Sequence, residues 1–334
     1  MNRILLPWIA PHIEKLTWYN LSKYMPEMYL LEQNLDKIRW DALCENINAI
    51  PLLEKNIDKI DWSILSGNIN AIYLLKKNID KIDWSVLSGN VNAIFLLEKN
   101  VDKINWSRLS RNVNAISILE KNIDKIDWDY LSTNINAISI LEKNLNKIKW
   151  NYLSYNKNAI ALIENNMDKV GWYNLSANVN AIHILEQNKE RLDWDNLCSN
   201  INAIDLIKSY IYEFNWSDSF GNITVDPVFE NADEINWSDL SGNINAIPLL
   251  EKYPDKIFWY DLCMNVNAID LLEKNQDKIS YYYLGQNTNI YTIDYEYCKE
   301  RMDIHREELM QKVFHPRRLS RYLEMGYDFD ELFL

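Results

Sequence analysis

The chain repeats one pattern of apolar and polar positions every 22 residues. The stretch Trp62 to Asp83, WSILSGNINAIYLLKKNIDKID, matches its neighbours almost letter for letter when the chain is shifted by 22. A tryptophan starts each copy, and Tyr281 replaces it in the last one. The tryptophans are Trp18, Trp40, Trp62, Trp84, Trp106, Trp128, Trp150, Trp172, Trp194, Trp216, Trp237 and Trp259, all 22 residues apart except for 21 between Trp216 and Trp237. A period of this length over thirteen copies is typical of a solenoid, whose units bury their apolar faces against their neighbours.

Within one copy, counted from tryptophan as position 1, the spacing predicts two short helices. Positions 1 to 6, with Leu at 4 and a capping Asp or Asn just before the tryptophan, predict helix A. Apolar positions 10, 11, 13 and 14 predict helix B, which we expect Asn at 9 to cap and a left-handed Asn at 17 to end. Pro51 and Pro248 at position 12 agree with this phase, because the first turn of a helix tolerates proline.

The turn between the helices carries Asn at position 7 in every copy from Trp40 onward, Asn46 through Asn287. This predicts a fixed backbone requirement, either a positive φ or a side-chain hydrogen bond to the backbone. Apolar positions 18 and 21 predict an extended return segment. A leucine-rich β-solenoid is the rival, but the copies lack its Leu-x-Leu strand core.

We therefore predict an all-α fold, an α-solenoid of about 13 helix–turn–helix repeats. The repeats would fill residues 18–289, between an N-terminal cap at 1–17 and a C-terminal helical cap at 290–334. Helices A and B would have about six and eight residues, and the tryptophans would be largely buried between repeats. The copy at 210–236 is irregular, because Ser219 replaces the leucine of position 4 and one residue is missing. It is either a decayed repeat or a kink, loop or functional insert.

The segment NAIxLLEKNxDKID resembles the second helix and following loop of an ankyrin repeat, with WxxLSxN in place of the first helix. About eleven residues are missing where ankyrin has its β-hairpin. His315 to Leu332, HPRRLSRYLEMGYDFDEL, resembles an ankyrin-type second helix more closely. From Trp18 to Leu284 the pattern is also similar to tandem-repeat proteins, mostly uncharacterised, that giant DNA viruses of amoebae encode in many copies. The resemblance implies a viral source and a binding role, and it brings no catalytic residue.

The composition restricts the cellular locations and the binding partners that we expect for the protein. The net charge is −13 with a pI near 4.9, and this distributed acidity counts against a nucleic-acid partner. Cys44, Cys198 and Cys263 take position 5, where other copies have Ser, and lie too many repeats apart for disulfides.

No apolar run approaches the length of a membrane span. The start, MNRILLPWIAP, is broken by two prolines and indicates a cap rather than a signal peptide. We predict a protein that is not secreted, in the host cytoplasm or the virion, without membrane contact.

The search for catalytic chemistry favours a non-enzyme. The sequence holds no Gly-rich phosphate loop, no metal-spaced Cys/His set and no Ser/His/Asp signature. Asp303 to Glu308 groups metal-capable side chains, but the pattern is that of a solvated helix face. We therefore expect no cofactor and no bound metal.

The copies differ most at positions 3, 6 and 12, and variable positions can face a partner. Aromatic and basic residues gather there, and at adjoining positions, in the copies from Trp106 to Trp150. They are Arg108, Arg111, Tyr130, Lys149, Tyr152, Tyr155 and Lys157. Arginine and aromatic residues together are typical of interface hot spots, so we predict a protein-binding surface here; neutral drift on a solvated face is the alternative.

The leading functional interpretation is a scaffold for protein–protein interaction with a host or viral partner. One alternative is a structural virion component or spacer. Another is a helical-repeat nucleic-acid binder that reads one base per unit. The net charge of −13 counts against this last alternative, and so does the lack of a varying pair of base-reading residues.

Overall fold

The computed structural model describes residues 3–212, 235–313 and 315–324. The chain divides into two compact units, one of Pro11–Ile290 and one formed by Met1–Ala10 with Tyr291–Leu334. The first unit consists of short helix pairs that pack in sequence order, which confirms the predicted all-α solenoid. Twelve repeats lie within the described residues.

Each repeat contains a helix A that starts at its tryptophan, and most continue with a helix B and one 3₁₀ turn. The A helices are Trp18–Tyr24, Trp40–Glu45, Trp62–Ser66, Trp84–Leu87, Trp106–Arg111, Trp128–Thr133, Trp150–Leu153, Trp172–Ser176, Trp194–Ser199, Trp237–Gly242, Trp259–Met264 and Tyr281–Leu284. The B helices are Tyr29–Glu32, Ile50–Lys55, Ile72–Lys77, Ile94–Glu98, Ile116–Glu120, Ile138–Glu142, Ile160–Glu164, Ile182–Gln187, Ile204–Tyr212, Ile247–Lys252 and Ile269–Glu273. The 3₁₀ turns are Ala10–Lys15, Ile57–Lys59, Ile79–Lys81, Val101–Lys103, Ile123–Lys125, Leu145–Lys147, Met167–Lys169, Lys189–Arg191, Pro254–Lys256, Gln276–Lys278 and Thr288–Ile290.

Helix A is capped as the sequence predicts. The Asp83 carboxylate accepts the backbone N–H of Val86 at 3.0 Å. At position 5, the Ser88 hydroxyl donates to the carbonyl oxygen of Trp84 at 2.7 Å and accepts the N–H of Asn105 at 2.9 Å. In the repeats that have serine at position 5, its hydroxyl therefore ties the end of the return segment to helix A of the same repeat. The return segment itself contains a 3₁₀ turn and is not simply extended.

Helix B differs from the prediction in its caps. Pro51 lies in its first turn, as expected, but the residue that precedes the helix is Ala at position 10, which makes no side-chain cap. The Asn114 amide at position 9 instead donates to the Val91 carbonyl of the preceding repeat. Asn122 at position 17 has φ −136°, not a left-handed conformation, and its amide donates to the Ile118 carbonyl. Most B helices have five or six residues rather than eight.

Asparagine at position 7 joins the repeats in what we call the asparagine ladder. The buried Asn112 amide donates to the carbonyls of Ser88 and Asn90 in the preceding repeat, both at 3.1 Å. Its oxygen accepts the N–H of Asn114 at 3.0 Å, and its φ is −72°. Of the two requirements predicted for position 7, the side-chain hydrogen bond is the correct one. The ladder residues are Asn46, Asn68, Asn90, Asn112, Asn134, Asn156, Asn178, Asn200, Asn243, Asn265 and Asn287.

The tryptophans are less buried than predicted. Among those in the described residues only Trp237 is fully buried, and the others are intermediate. One face of most of these rings is instead open to a basic side chain of the same repeat: the Lys125 ammonium lies 4.8 Å from the Trp106 ring centre, and the Arg191 guanidinium lies 5.3 Å from that of Trp172. The fully buried core is built from leucines at positions 4 and 14, such as Leu109 and Leu119.

The ladder passes directly from the Trp194 repeat to the Trp237 repeat. The Asn243 amide donates to the carbonyls of Cys198 at 2.9 Å and Asn200 at 3.1 Å. These two repeats are therefore neighbours in the stack. Most of the irregular copy predicted at 210–236, residues 213–234, lies outside the described residues.

The first and last repeats of this unit also contact each other. The Asn20 amide donates to the carbonyl of Tyr282 at 2.7 Å, the same bond that Asn174 makes to Asn151 of the repeat before it. The His12 ring packs edge-on against Tyr281, with 5.4 Å between centres. Each repeat thus has a neighbour on both sides, and the twelve form a closed ring. Of the segment predicted as an N-terminal cap, residues 11–17 belong to this ring.

The second unit contains a two-stranded antiparallel sheet. Strand β1 (Arg3–Leu5) pairs with strand β2 (Tyr291–Ile293), with Ile4 opposite Thr292. The helices Tyr295–Val313 and Pro316–Glu324 follow β2 in the region predicted as a helical cap. The segments that precede and follow the repeats in the sequence are therefore joined to each other through backbone hydrogen bonds.

Candidate functional site

The A helices form the inner side of the ring. Successive A helices pack against each other around the array, whereas most B helices contact mainly the 3₁₀ turn that follows them. In a closed ring the elements that approach each other most closely lie at the smaller radius. Side chains at positions 3, 6 and 8, which point away from the buried leucines, therefore face the concave surface.

A groove with a volume of about 650 Å³ crosses four repeats on this surface, from Trp106 to Trp172. We call it the tyrosine groove, because Tyr130, Tyr152 and Tyr155 line it and are 45, 48 and 58% exposed. Arg111 and Lys157 also line it. The structure thus brings five of the seven predicted residues together in one groove. Its full lining is Arg111, Val113, Asp127, Asp129, Tyr130, Thr133, Ile135, Tyr152, Tyr155, Lys157, Ala177, Asn178 and Val179.

The two remaining predicted residues lie next to the groove. Arg108 lines an adjoining groove of about 600 Å³, which shares Arg111 and Tyr130 with the first. Lys149 occupies the cap position of its helix without capping it, and its ammonium lies 3.5 Å from a carboxylate oxygen of Asp129. Lys149 therefore does not line the groove but forms an ion pair with Asp129, which does.

The local sequence explains why these side chains project into the groove. Tyr152 and Tyr155 are three residues apart, so they emerge on the same face of their helix turn. In the neighbouring repeat, Leu131 is completely buried on the opposite face. The Asp127 carboxylate accepts the N–H groups of Asp129 and Tyr130, which fixes the start of that helix. The side chain of Tyr130, at position 3, is therefore carried by a capped helix.

The charges that line the groove differ in how far they are already satisfied. One Asp127 oxygen accepts the two backbone N–H groups, and the other accepts the Ser107 hydroxyl at 2.6 Å. Asp129 has Lys149. The side chains of Arg111 and Lys157, in contrast, have no hydrogen-bond or ion-pair partner among the described residues. The groove thus offers two uncommitted cations beside three tyrosines.

Sequence reasoning missed the apolar floor of the groove. Val113, Ile135 and Val179 at position 8 line it and are partly exposed. The signal was present, because the asparagines at positions 7 and 9 both bond to the preceding repeat. The side chain at position 8, between these two asparagines, is consequently left partly exposed on the concave surface.

Other reactive groups lie away from this groove. Burial raises the pKa of the Cys44 thiol to about 11 and that of Cys198 to about 12, so both stay protonated at neutral pH. Cys263 is also buried, and Cys298 is half-buried. Within the described residues no group of three or more His, Cys, Asp or Glu could hold a metal ion. In the same part of the chain, no helix is both long and apolar enough to span a membrane.

Comparisons with known proteins identify no relative: no family model matches the chain, and neither does any curated protein or solved structure. The groove is therefore the feature of the molecule that indicates a function. It presents aromatic surface, an apolar floor and uncommitted positive charge on a rigid concave support, and this combination suits binding of another molecule's surface.

Proposed function

We propose that the protein is a non-enzymatic scaffold that binds a segment of another protein in the tyrosine groove. The observation that carries this proposal is the grouping of Tyr130, Tyr152 and Tyr155, each about half exposed, in one groove of about 650 Å³. Groups of tyrosine with arginine dominate the binding energy of many protein interfaces. The volume lies in the range of sites that enclose a ligand or a few side chains.

The support beneath the groove favours binding in a second way. Asn134 and Asn156 of the asparagine ladder tie the repeats that carry the tyrosines to their neighbours. A surface that is already ordered loses less conformational entropy when a partner binds. Each tyrosine also has few rotatable bonds and presents a large area, so little freedom is lost for each contact.

A source in a giant DNA virus, and a place in the host cytoplasm or the virion, form part of the same proposal. The support for them is the resemblance of the 22-residue pattern to the tandem repeats of such viruses. A host or viral protein would then be the partner. Mass spectrometry of proteins that co-purify with the tagged chain from infected cells would identify it.

The site can be tested without knowing the partner. Peptides selected from a random displayed library on the full chain should bind the wild type and should lose binding to the triple variant Arg111→Ala, Tyr130→Ala, Tyr152→Ala. The melting temperature of this variant should stay close to that of the wild type, because the three side chains lie off the buried core. The matched control is Tyr73→Ala with Tyr173→Ala, two tyrosines that are 62 and 63% exposed outside the groove.

Two outcomes would contradict the proposal. In one, the selected peptides bind the triple variant as tightly as the wild type. In the other, the control variant loses binding to the same degree. If the triple variant unfolds, hydrogen exchange of the wild type with and without peptide decides the matter. Peptide binding must then slow amide exchange in the repeats from Trp106 to Trp172, which form the groove.

A further inference from the structure

We infer that the tyrosine groove selects an acidic protein segment, one that presents carboxylates beside an aromatic or aliphatic side chain. This inference rests on the proposed function and names the chemical class of its partner. Three observations carry it: where basic residues occur around the ring, which charges in the groove are already satisfied, and which acids line it.

Basic side chains are concentrated at one part of the inner surface. Around the twelve described repeats, positions 3, 6 and 8 carry only four lysines or arginines: Lys23, Arg108, Arg111 and Lys157. Lys23 is paired with Glu45 at 2.7 Å. The other three lie in the repeats from Trp106 to Trp150, at the tyrosine groove and its neighbour. The inner cations other than Lys23 thus lie beside Tyr130, Tyr152 and Tyr155.

In the part of the chain that the structure describes, the groove has two cations without a partner, whereas both of its carboxylates are engaged by other groups of the chain. Both oxygens of Asp127 are occupied by donors of the chain itself, and Asp129 has Lys149. Arg111, in the Trp106 repeat, and Lys157, in the repeat of Tyr152 and Tyr155, both line the groove and have no such partner among the described residues. An arginine guanidinium pairs especially well with a carboxylate, since the two can form parallel hydrogen bonds.

The net charge of −13 repels an acidic partner at long range. Salt limits that repulsion, because charges separated by more than about 8–10 Å are largely screened at physiological ionic strength. Within contact distance, the local cations determine the interaction. The distant acids then raise the specificity of the site, since an acidic segment is stabilised only where these cations meet it.

A carboxylate-bearing protein fits this groove better than a nucleic acid. Non-specific single-stranded sites use a continuous positive groove that follows the phosphate backbone. Here Asp127 and Asp129 line the same groove as Arg111, which would place phosphates near carboxylates. Isolated carboxylates separated by apolar side chains can meet the cations and avoid the acids.

The test uses fluorescent peptides of about 12 residues, long enough at about 40 Å to cross the groove. One alternates glutamate with phenylalanine and tyrosine, a second replaces glutamate by lysine, and a third replaces the aromatic residues by serine. A thymidine oligonucleotide of similar length is the fourth probe. Anisotropy titration of the full chain should show the tightest binding for the first peptide, and this binding should weaken as salt rises from about 50 to about 500 mM.

Charge reversal provides the decisive variant. Arg111→Glu with Lys157→Glu should weaken the acidic peptide by roughly tenfold or more and favour the lysine peptide. The matched control is Lys121→Glu with Lys143→Glu, which changes the net charge equally at two exposed lysines that directly follow B helices and should leave the affinity within about twofold. Hydrogen exchange will show whether each variant keeps the wild-type fold.

The remaining outcomes separate this inference from the proposed function. If the lysine peptide binds the wild type as tightly and loses binding in the Tyr130→Ala, Tyr152→Ala variant, the groove remains a protein site and its acid preference is overturned. Tighter binding of the oligonucleotide than of any peptide overturns both statements in favour of a nucleic acid. If no probe binds but library peptides do so at the groove, the acidic class alone is overturned.

Discussion

The Lys15 ammonium lies 4.9 Å from the ring centre of Tyr281, at the opposite end of the chain. In most other repeats the same contact is made by a basic residue that follows the repeat's own tryptophan, such as Lys125 over Trp106 at 4.8 Å. The N-terminal segment therefore supplies the closing part of the last repeat. That repeat is assembled from two pieces of chain, Tyr281–Leu284 with its following turn and residues 11–17.

Truncating the buried Leu16 of the N-terminal piece should destabilise the ring as much as the equivalent truncation in an interior repeat. Leu16 is 2% exposed and takes the place that Ile104 takes, at 8%, in an interior repeat. Leu16→Ala and Ile104→Ala should each lower the free energy of unfolding by about 2–5 kcal/mol, because each leaves a cavity in the core. Urea titration followed by tryptophan fluorescence will measure both.

The control for this prediction is Glu14→Ala, which changes an exposed residue of the same segment. Hydrogen exchange of Leu16→Ala should show faster exchange in the Tyr281 repeat, far away in sequence. If Leu16→Ala lowers the free energy of unfolding only slightly while Ile104→Ala lowers it strongly, residues 11–17 do not contribute to the stability of the ring.

The asparagine ladder should be more sensitive to mutation than the asparagines beside it. Asn112→Ala leaves the Ser88 carbonyl and the Asn114 N–H without the partners that Asn112 provides, whereas the Asn90 carbonyl keeps the N–H of Ala93. Each unsatisfied buried group costs about 1–3 kcal/mol, so we expect a total loss of about 2–3 kcal/mol. Asn114→Ala removes one exposed bond and should cost less than about 1 kcal/mol. Chemical denaturation of the two variants checks this, and equal losses would argue against the ladder as the main polar contact between repeats.

Sequence alone was enough to predict the repeat, its phase and the cap of helix A, because each depends on residues close together in the chain. It left the role of Asn112 open between two local explanations, since the carbonyls it binds belong to the preceding repeat. Closure was not predicted, although residues 12–17, HIEKLT, match positions 17–22, NIDKID, of the other copies. Residues 12–17 could be recognised as part of a repeat only by knowing that the Tyr281 copy does not supply positions 17–22 itself.

Acid should remove part of the stability that Asp83 provides. Its carboxylate accepts the Val86 N–H and the Ser63 hydroxyl, and these bonds lower its pKa. A lowered pKa in the folded state adds stability above the unfolded value of about 3.9, and this stability is lost as pH falls through the folded pKa. The advantage of wild type over Asp83→Asn should therefore shrink below about pH 4.

The reciprocal variant is Asn105→Asp, since Asn105 caps its helix at the same position. It should add acid sensitivity to a repeat that has none at this position. Unfolding in urea from neutral pH down to about pH 3 measures both differences. A difference between wild type and Asp83→Asn that stays constant across this range would contradict the assignment.

The buried cysteines should limit stability at alkaline pH. Their pKa values are raised, to about 11 for Cys44 and about 12 for Cys198. Because a raised pKa favours the folded state only below the unfolded value, stability should fall as pH rises above about 9, by up to about 1.4 kcal/mol per thiol and pH unit. Replacing Cys44, Cys198 and Cys263 by Ser should remove this loss.

Serine fits this position, since Ser88 makes two hydrogen bonds there. The triple variant should accordingly be at least as stable as the wild type at pH 7 and more stable at pH 10, by thermal unfolding. Alkylation at pH 8 should label Cys298 and leave the three buried thiols unmodified until the chain unfolds. Rapid labelling of all four would contradict the burial that raises their pKa values.

The candidate site shows the same division between local and non-local information. Variation from copy to copy at positions 3 and 6 was enough to select Arg111, Tyr130 and Tyr155, which the structure places in one groove. Their juxtaposition depends on how much each repeat turns relative to the next, and no single copy encodes that angle. The pairing of Asp129 with Lys149 depends on it for the same reason.

The repeat assembled from two pieces also bears on how the chain folds. Near-identical units can stack in many incorrect pairings, because almost any copy fits beside any other. The bond from Asn20 to Tyr282 joins residues 262 positions apart, and such contacts form late, after the chain between them has been ordered. A chain that stacks one unit too few or too many leaves these partners apart. Ring closure thus acts as a check on the count of units, and it stabilises only the arrangement in which every unit has found its correct neighbour.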